Sequence, residues 1–146
     1  MGPVRVSIEI PLPVERVWEK ASRLDRHAEW MADARSIEFL GAARSGVGTR
    51  MRVETRFGPL RTTDTIEVTA WEPPRRITVE HRGRFTGWGR FLLDPAGPEA
   101  TRFTWEEQVR FPWYLGGPVG TLAARPIFRL VWRRNLERFR SRFTSP

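Results

Sequence analysis

The stretch VRVSIEIPLPVERVW (residues 4–18) joins a strand pattern to a helix pattern. Apolar residues at every second position from 4 to 10 predict a strand with one buried face. The Pro-Leu-Pro break at 11–13 ends this strand, and its second proline suits an early helical position. Helical spacing of apolar residues then predicts a first helix over 14–24. A second short helix is predicted over 25–34, with Asp25 as its N-cap.

The chain from there to residue 111 repeats the strand pattern between tight turns. The six further predicted strands span 37–40, 51–57, 62–71, 76–82, 85–93 and 101–111. Glycine and proline separate them, as in the Gly-Pro pair at 58–59 and the Pro-Pro pair at 73–74. Short strands with tight connections favour an antiparallel meander over parallel units with helical crossovers.

The period changes again near the end, where residues 119–143 predict one long helix with an apolar stripe between arginines. Pro126 is expected to kink this helix or to begin its regular part. A long meander must curl to bury one face, and one amphipathic helix across the concave side covers it. We therefore predict an α+β helix-grip fold in a single domain, 1–146. It has a curved seven-stranded antiparallel sheet, two short helices after strand 1, and an apolar cavity under the C-terminal helix.

Composition excludes several classes of protein. Hydrophobic residues make up 40% of the chain, and no apolar run is long enough to span a bilayer. The first residues contain no signal-peptide pattern, so a cytoplasmic protein is expected. Cysteine is absent, which excludes disulfides, thiolate metal sites and cysteine nucleophiles. The sequence also contains no nucleophile elbow, phosphate loop or dinucleotide fingerprint. We expect no cofactor and no metal.

Positive charge is concentrated at the end of the chain. The net charge is +8, and residues 121–146 hold seven arginines against one acid, Glu137. Such a segment favours an anionic membrane surface or a partner protein. The alternative is an ordinary solvated helix face. Nucleic acid is not the partner that we expect, and the sequence leaves monomer and homodimer open.

Four motifs resemble one family almost end to end. They are the strand-to-helix segment 8–18, Asp25 followed by Trp30, the hairpin 71–77, and the segment 100–105, where Ala100 replaces the usual glycine. They are similar to the SRPBCC or START-like superfamily of polyketide cyclase/dehydrase and lipid-transport proteins, which shares the birch-pollen-allergen helix-grip fold. The resemblance implies this fold and a ligand cavity. It does not imply one ligand, because the fold serves carriers, cyclases and receptors.

Three ionisable side chains share the apolar faces of neighbouring predicted strands: Asp64, His81 and Glu107. Buried charges must pair, shift their pKa, or meet water or ligand. This set is therefore a candidate general acid and base. The structural alternatives are a satisfied histidine, Asp64 binding a nearby turn, and an ion pair between Glu107 and Arg90. Their spacing matches no known metal motif.

The predicted ligand-binding residues are mainly aromatic and aliphatic, because flat rings suit a planar polycyclic or isoprenoid ligand. They are Trp30, Met51, Val53, Phe57, Ile66, Val79, His81, Phe91, Trp105, Glu107 and Phe128. The alternative is that the aromatic members only fill the core.

Three functions follow from these features. The first is binding of a small hydrophobic molecule, such as a lipid, isoprenoid or polyketide, as a carrier or sensor. The second, implied by the resemblance, is an aromatase/cyclase-type enzyme using the three polar groups. Family cyclases tend to place an arginine in the pocket, and the inward positions of the clear strands hold none. The third is an interaction module that uses the basic C-terminal helix.

Overall fold

A computed structural model describes residues 2–57 and 59–144, and the side chains of all of these except Phe57, Leu60 and Thr144. The strands are β1 (Val4–Ile10), β2 (Ala34–Phe39), β3 (Arg50–Phe57), β4 (Leu60–Glu72), β5 (Arg76–Arg82), β6 (Thr86–Pro95) and β7 (Thr101–Arg110). The α-helices are α1 (Val14–Ala21) and α2 (Gly117–Thr144). Two 3-10 turns cover Leu24–Glu29 and Trp113–Leu115.

The strands of the described chain form one antiparallel sheet in the order β1-β7-β6-β5-β4-β3-β2. Neighbours in sequence pair as hairpins from β2 to β7, and β1 closes the order by pairing with β7. Period-2 alternation places one face of each strand toward the interior. The predicted fold class, a curved seven-stranded sheet with a long C-terminal helix, is confirmed.

Helix α2 packs mainly against β1 and β7. Its buried apolar residues are Phe128, Trp132, Leu136 and Phe139, at helical spacing. The Trp132 ring stacks between Phe128, at 5.1 Å, and Trp105 of β7, at 5.4 Å. Among the described helices, none combines the length and apolar composition that a bilayer crossing needs.

The interior consists of two apolar clusters. One joins α1, α2 and the β1–β7–β6 side of the sheet, with Phe103 and Leu93 fully buried. The other lies under β3, β4 and β5, with Val68 and Ile77 at its centre. The space between these clusters is where a cavity forms.

Two predicted helices differ from the structure. The second short helix is a 3-10 turn, Leu24–Glu29, and Asp25 forms an ion pair with Arg23 instead of capping it. Its predicted end already belongs to β2, because pairing with β3 satisfies that backbone. Helix α2 begins at Gly117, so Pro126 lies inside it.

Candidate ligand-binding cavity

A cavity of about 150 Å³ lies between the concave face of the sheet, the Leu24–Glu29 turn and α2. Its apolar wall includes Leu24, Met31, Ile37, Met51, Val53, Ile66, Ile77, Val79, Phe85, Phe91, Trp105, Val109, Phe111, Phe128 and Trp132. Strands β3 to β7 all contribute to it. The wall is mainly apolar, and we call the part where Asp64, His81 and Glu107 lie close together its polar end.

The polar end exists because β6 carries glycines between two strands with long side chains. In the sheet register His81 of β5 faces Gly87, and Gly89 faces Glu107 of β7. With no side chain on β6 at these positions, His81 Nε2 and Glu107 Oε2 approach to 3.5 Å across it. A Cβ at Gly89 would come within 2.8 Å of Glu107 Oε1. Glycine at this position leaves room beside β6 for the Glu107 carboxylate.

The two oxygens of Glu107 have different environments. Oε1 accepts a hydrogen bond of 3.1 Å from the Trp105 indole N–H, while Oε2 faces His81. His81 Nε2 is buried and has no hydrogen-bond partner of good geometry among the described residues. Burial lowers the pKa of His81, but the adjacent Glu107 carboxylate and the charge of Asp64 raise it more, and the net shift is upward. The imidazole therefore favours its protonated form beside a carboxylate.

Asp64 of β4 is buried at the same end of the cavity. It accepts a hydrogen bond of 3.0 Å from the Thr62 hydroxyl and one of 2.8 Å from the Arg84 backbone N–H. Gly83, with φ of +140°, lets the turn approach, since a Cβ there would overlap the carboxylate. Asp64 thus binds the β5–β6 turn and also contributes negative charge to the cavity.

A third acid, Asp33, lines the cavity just before β2. Burial raises its pKa, and the nearby Glu107 charge adds to this, although hydrogen bonds from the Asn135 amide and the Trp132 indole oppose it. The Asn135 amide of α2 donates to Asp33 Oδ1 at 2.7 Å. Neither residue was predicted, because Asp33 lies outside the strand pattern and Asn135 is a single polar residue in an apolar stripe.

His27 also lines the cavity, from the Leu24–Glu29 turn. Its Nε2 donates to the Ala21 carbonyl at 2.8 Å. Burial lowers the pKa of His27 to about 4, against smaller opposing effects of that hydrogen bond and of Asp25. His27 is therefore neutral at pH 7, and its pKa shifts in the opposite direction from that of His81.

Most residues predicted for the site lie at the cavity. Those that line it are Met51, Val53, Asp64, Ile66, Val79, His81, Phe91, Trp105, Glu107 and Phe128. Trp30 does not line it: its ring packs in the core against Phe139 of α2, at 4.8 Å. The side chain of Phe57 lies outside the described part of the structure. That these residues bind a ligand stays a prediction.

The predicted alternative partner of Glu107 was wrong. Arg90 pairs with Glu106 instead, at 3.0 Å. Neighbouring residues of a strand point to opposite faces, so Glu106 lies on the outer face of β7 while Glu107 points inward. Arg90 touches the cavity but its guanidinium is held on the outer face by Glu106. Within residues 2–57 and 59–144, no three acidic or histidine side chains are grouped to hold a metal ion.

A second cavity, of about 300 Å³, lies between the start of β1, the end of β7 and the first turns of α2. It shares Glu107, Val109, Phe111 and Phe128 with the first cavity. The rings of Phe111 and Phe128, whose centroids are 5.9 Å apart, therefore lie between the two cavities.

A curved antiparallel sheet around a long C-terminal helix, with an apolar cavity between them, defines the class of helix-grip ligand-binding folds. The chain belongs to the family described as polyketide cyclase / dehydrase and lipid transport, which it matches over residues 1–144. No curated protein matches it in sequence.

Solved structures repeat the fold at low sequence identity. A protein from Thermus thermophilus is 23% identical, with a TM-score of 0.73 and 99% of each chain covered. The XoxI protein from Bacillus cereus is 14% identical, with a TM-score of 0.77, covering 99% of this chain and 97% of that one. The ZhuI aromatase/cyclase from Streptomyces sp. R1128 is 17% identical, with a TM-score of 0.70, covering 96% and 92%. At such identities these likenesses establish the fold alone.

Proposed function

We propose that this protein binds a small, mainly apolar molecule in the cavity under α2, as a carrier or sensor. The observation that carries the proposal is a mainly apolar cavity with a few polar groups on its wall, among them the His81–Glu107 pair. Ligand sites commonly have this form, with an apolar wall for affinity and a few polar groups for orientation. The cytoplasmic location, the single domain and the choice between monomer and homodimer stay predictions.

The size of the cavity bears on the ligand. A space of about 150 Å³ holds roughly one benzene ring. Lipid, isoprenoid or polyketide ligands are larger, and they would need the second cavity as well. Rotation of the Phe111 and Phe128 rings, which stand between the two cavities, would join them.

Native mass spectrometry of protein incubated with an extract of its own organism tests the proposal. Val79→Phe fills the cavity, and Val47→Phe makes the same change at an exposed site. We expect a bound small molecule on the wild type and on Val47→Phe, and none on Val79→Phe. A wild type without any bound molecule, or equal loading of Val79→Phe, contradicts the proposal.

Acid–base catalysis on a bound carbonyl compound is the second candidate function. The observation that favours it is the pairing of His81 with Glu107 inside the cavity, since such a pair can give and take a proton. The variants His81→Phe and Glu107→Gln separate the two functions. Loss of polyketide turnover with retained ligand binding supports the enzyme, and unchanged turnover in both variants excludes this pair as its catalyst.

The outer face of α2 suits a different partner, an anionic membrane surface. Its exposed apolar residues are Val119, Leu122, Ile127 and Leu130. Arg129, Arg133 and Arg134 flank this row and are exposed, and within the described chain none of them has an acidic partner. Apolar side chains between arginines suit the headgroup region of anionic lipid. A second copy of the chain would bring like charges together.

Vesicle co-sedimentation tests this surface. We expect binding to vesicles that contain phosphatidylserine, none to phosphatidylcholine alone, and release at high salt. Replacing the three flanking arginines by glutamine should abolish binding. The same change at the exposed residues Arg35, Arg50 and Arg102 alters the net charge equally and should retain most of it. Binding that does not depend on lipid charge, or an equal loss of binding in both triple variants, contradicts a docking role for α2.

A further inference from the structure

We infer that the polar end of the cavity selects a neutral hydroxyl group on a ring-sized apolar ligand and rejects a carboxylate. This inference rests on the proposed ligand-binding function and specifies the chemistry of the ligand. The groups that face this end come from β4, β5, β7 and the segment before β2.

Carboxyl groups from three parts of the chain lie around the polar end. Three carboxyl groups line the cavity there: Asp33 before β2, Asp64 of β4 and Glu107 of β7. Among the described residues that line the cavity, His81 is a basic group whose pKa is raised, and it is paired with Glu107. The guanidinium of Arg90 is bound to Glu106 on the outer face. Arg90 Nε is buried without a hydrogen-bond partner among the described residues, but Arg90 Nη2 is bound to Glu106, so a ligand carboxylate would mainly meet the negative charges of Asp64 and Glu107.

His81 has hydrogen-bonding capacity that the described residues do not satisfy. His81 Nε2 is buried and forms an ion pair with Glu107 Oε2 at 3.5 Å, but it makes no hydrogen bond of good geometry. A buried donor without a partner is costly, so a ligand that supplies the acceptor gains affinity. The other oxygen, Oε1, is already bound by the Trp105 indole.

A hydroxyl group matches the hydrogen-bonding needs of both His81 and Glu107. A hydroxyl donates one hydrogen bond and accepts two, so one group can accept from His81 Nε2 and donate to Glu107 Oε2. An ammonium group is attracted by the carboxylates, but it only donates, so it leaves the imidazole unmatched and adds a positive charge beside His81. The adjoining apolar space of about 150 Å³ fits one ring. A phenol or a cyclic alcohol has both the hydroxyl group and a single ring that fits this space.

Four probes of one ring each test the inference on the wild-type protein at pH 7: phenol, toluene, benzoate and benzylamine. Dissociation constants come from NMR titration, with the Trp105 indole N–H signal reporting on the polar end, because that group is bound to Glu107. We expect phenol to bind at least about ten-fold more tightly than each of the other three. His81→Phe should reduce phenol affinity to that of toluene. Glu107→Gln should narrow the gap between phenol and benzoate.

The exposed Glu80 provides the matched control, since Glu80→Gln makes the same change on the outer face of β5. It should leave all four affinities unchanged. If benzoate, toluene or benzylamine binds as tightly as phenol, the hydroxyl selectivity is wrong while ligand binding stands. If none of the four probes binds, the proposed binding of a ring-sized ligand in this cavity fails as well.

Discussion

The side-chain amide of Asn135 donates a 2.7 Å hydrogen bond to Asp33 Oδ1, and so joins α2 to the segment before β2. Asn135 is fully buried, and its own oxygen accepts from the Ala32 backbone N–H and from Arg138. Both polar atoms of this side chain therefore have partners in the contact between helix and cavity wall. Buried polar groups with full hydrogen bonding fix one arrangement of the elements they join.

The first prediction concerns this contact. Asn135→Asp places a second carboxylate against Asp33 in a buried position, so it should lower the free energy of unfolding by about 2–3 kcal/mol at pH 7. The double variant Asp33→Asn with Asn135→Asp exchanges the two groups and restores a donor facing an acceptor. It should recover most of the loss. Urea unfolding of the three proteins measures both effects, and a double variant no more stable than Asn135→Asp would contradict the assigned pairing.

The second prediction concerns acid stability through His27. Its pKa falls from 6.5 to about 4 in the folded state, because burial disfavours the charged imidazolium. The unfolded chain therefore binds the proton more readily, and stability falls as pH drops from 6.5 toward 4. The loss amounts to roughly 3 kcal/mol. In His27→Gln, which keeps a donor for the Ala21 carbonyl and does not titrate, urea unfolding should show a shallower decline over this range. An equally steep decline would assign the acid sensitivity to other groups.

The third prediction concerns His81, whose shift has the opposite sign. Its folded pKa is raised, because the Glu107 and Asp64 charges outweigh burial. The stabilisation from the protonated ring is therefore complete below the unfolded pKa of about 6.5, and it is lost as pH rises through the folded value. The difference in unfolding free energy between wild type and His81→Phe should shrink as the pH rises above about 6.5. A difference that grows with pH would mean that the folded pKa is lowered.

Strand phase was sufficient to predict which polar residues face inward. Asp64, His81 and Glu107 each follow an apolar alternation, and the period of two leaves one choice of face once the apolar side is buried. Strand phase does not predict which residue each of these side chains contacts. Glu107 meets His81 and not Arg90 because of the β5–β6–β7 register and two glycines on β6. That register depends on contacts between strands and not on a local pattern.

The segment after α1 was the least predictable part of the site. Residues 24–33 show neither the helical nor the strand period of apolar residues. We predicted a helix over 25–34, but the structure has a 3-10 turn followed by irregular chain. The error on Trp30 and the omission of Asp33 and His27 all come from this segment. Its conformation is determined by packing against α2 and β2, which only the folded chain brings together.

The fourth prediction concerns Gly89, the β6 residue that faces Glu107 across the sheet. Gly89→Ala places a methyl group 2.8 Å from Glu107 Oε1, so this oxygen, which accepts from the Trp105 indole, must shift. We expect a folded protein whose Trp105 indole N–H signal shifts and whose affinity for phenol falls about ten-fold. Gly2→Ala is the matched control, because a Cβ there has nothing within 4 Å. An unchanged indole signal and unchanged phenol affinity in Gly89→Ala would show that the carboxylate position does not determine ligand binding.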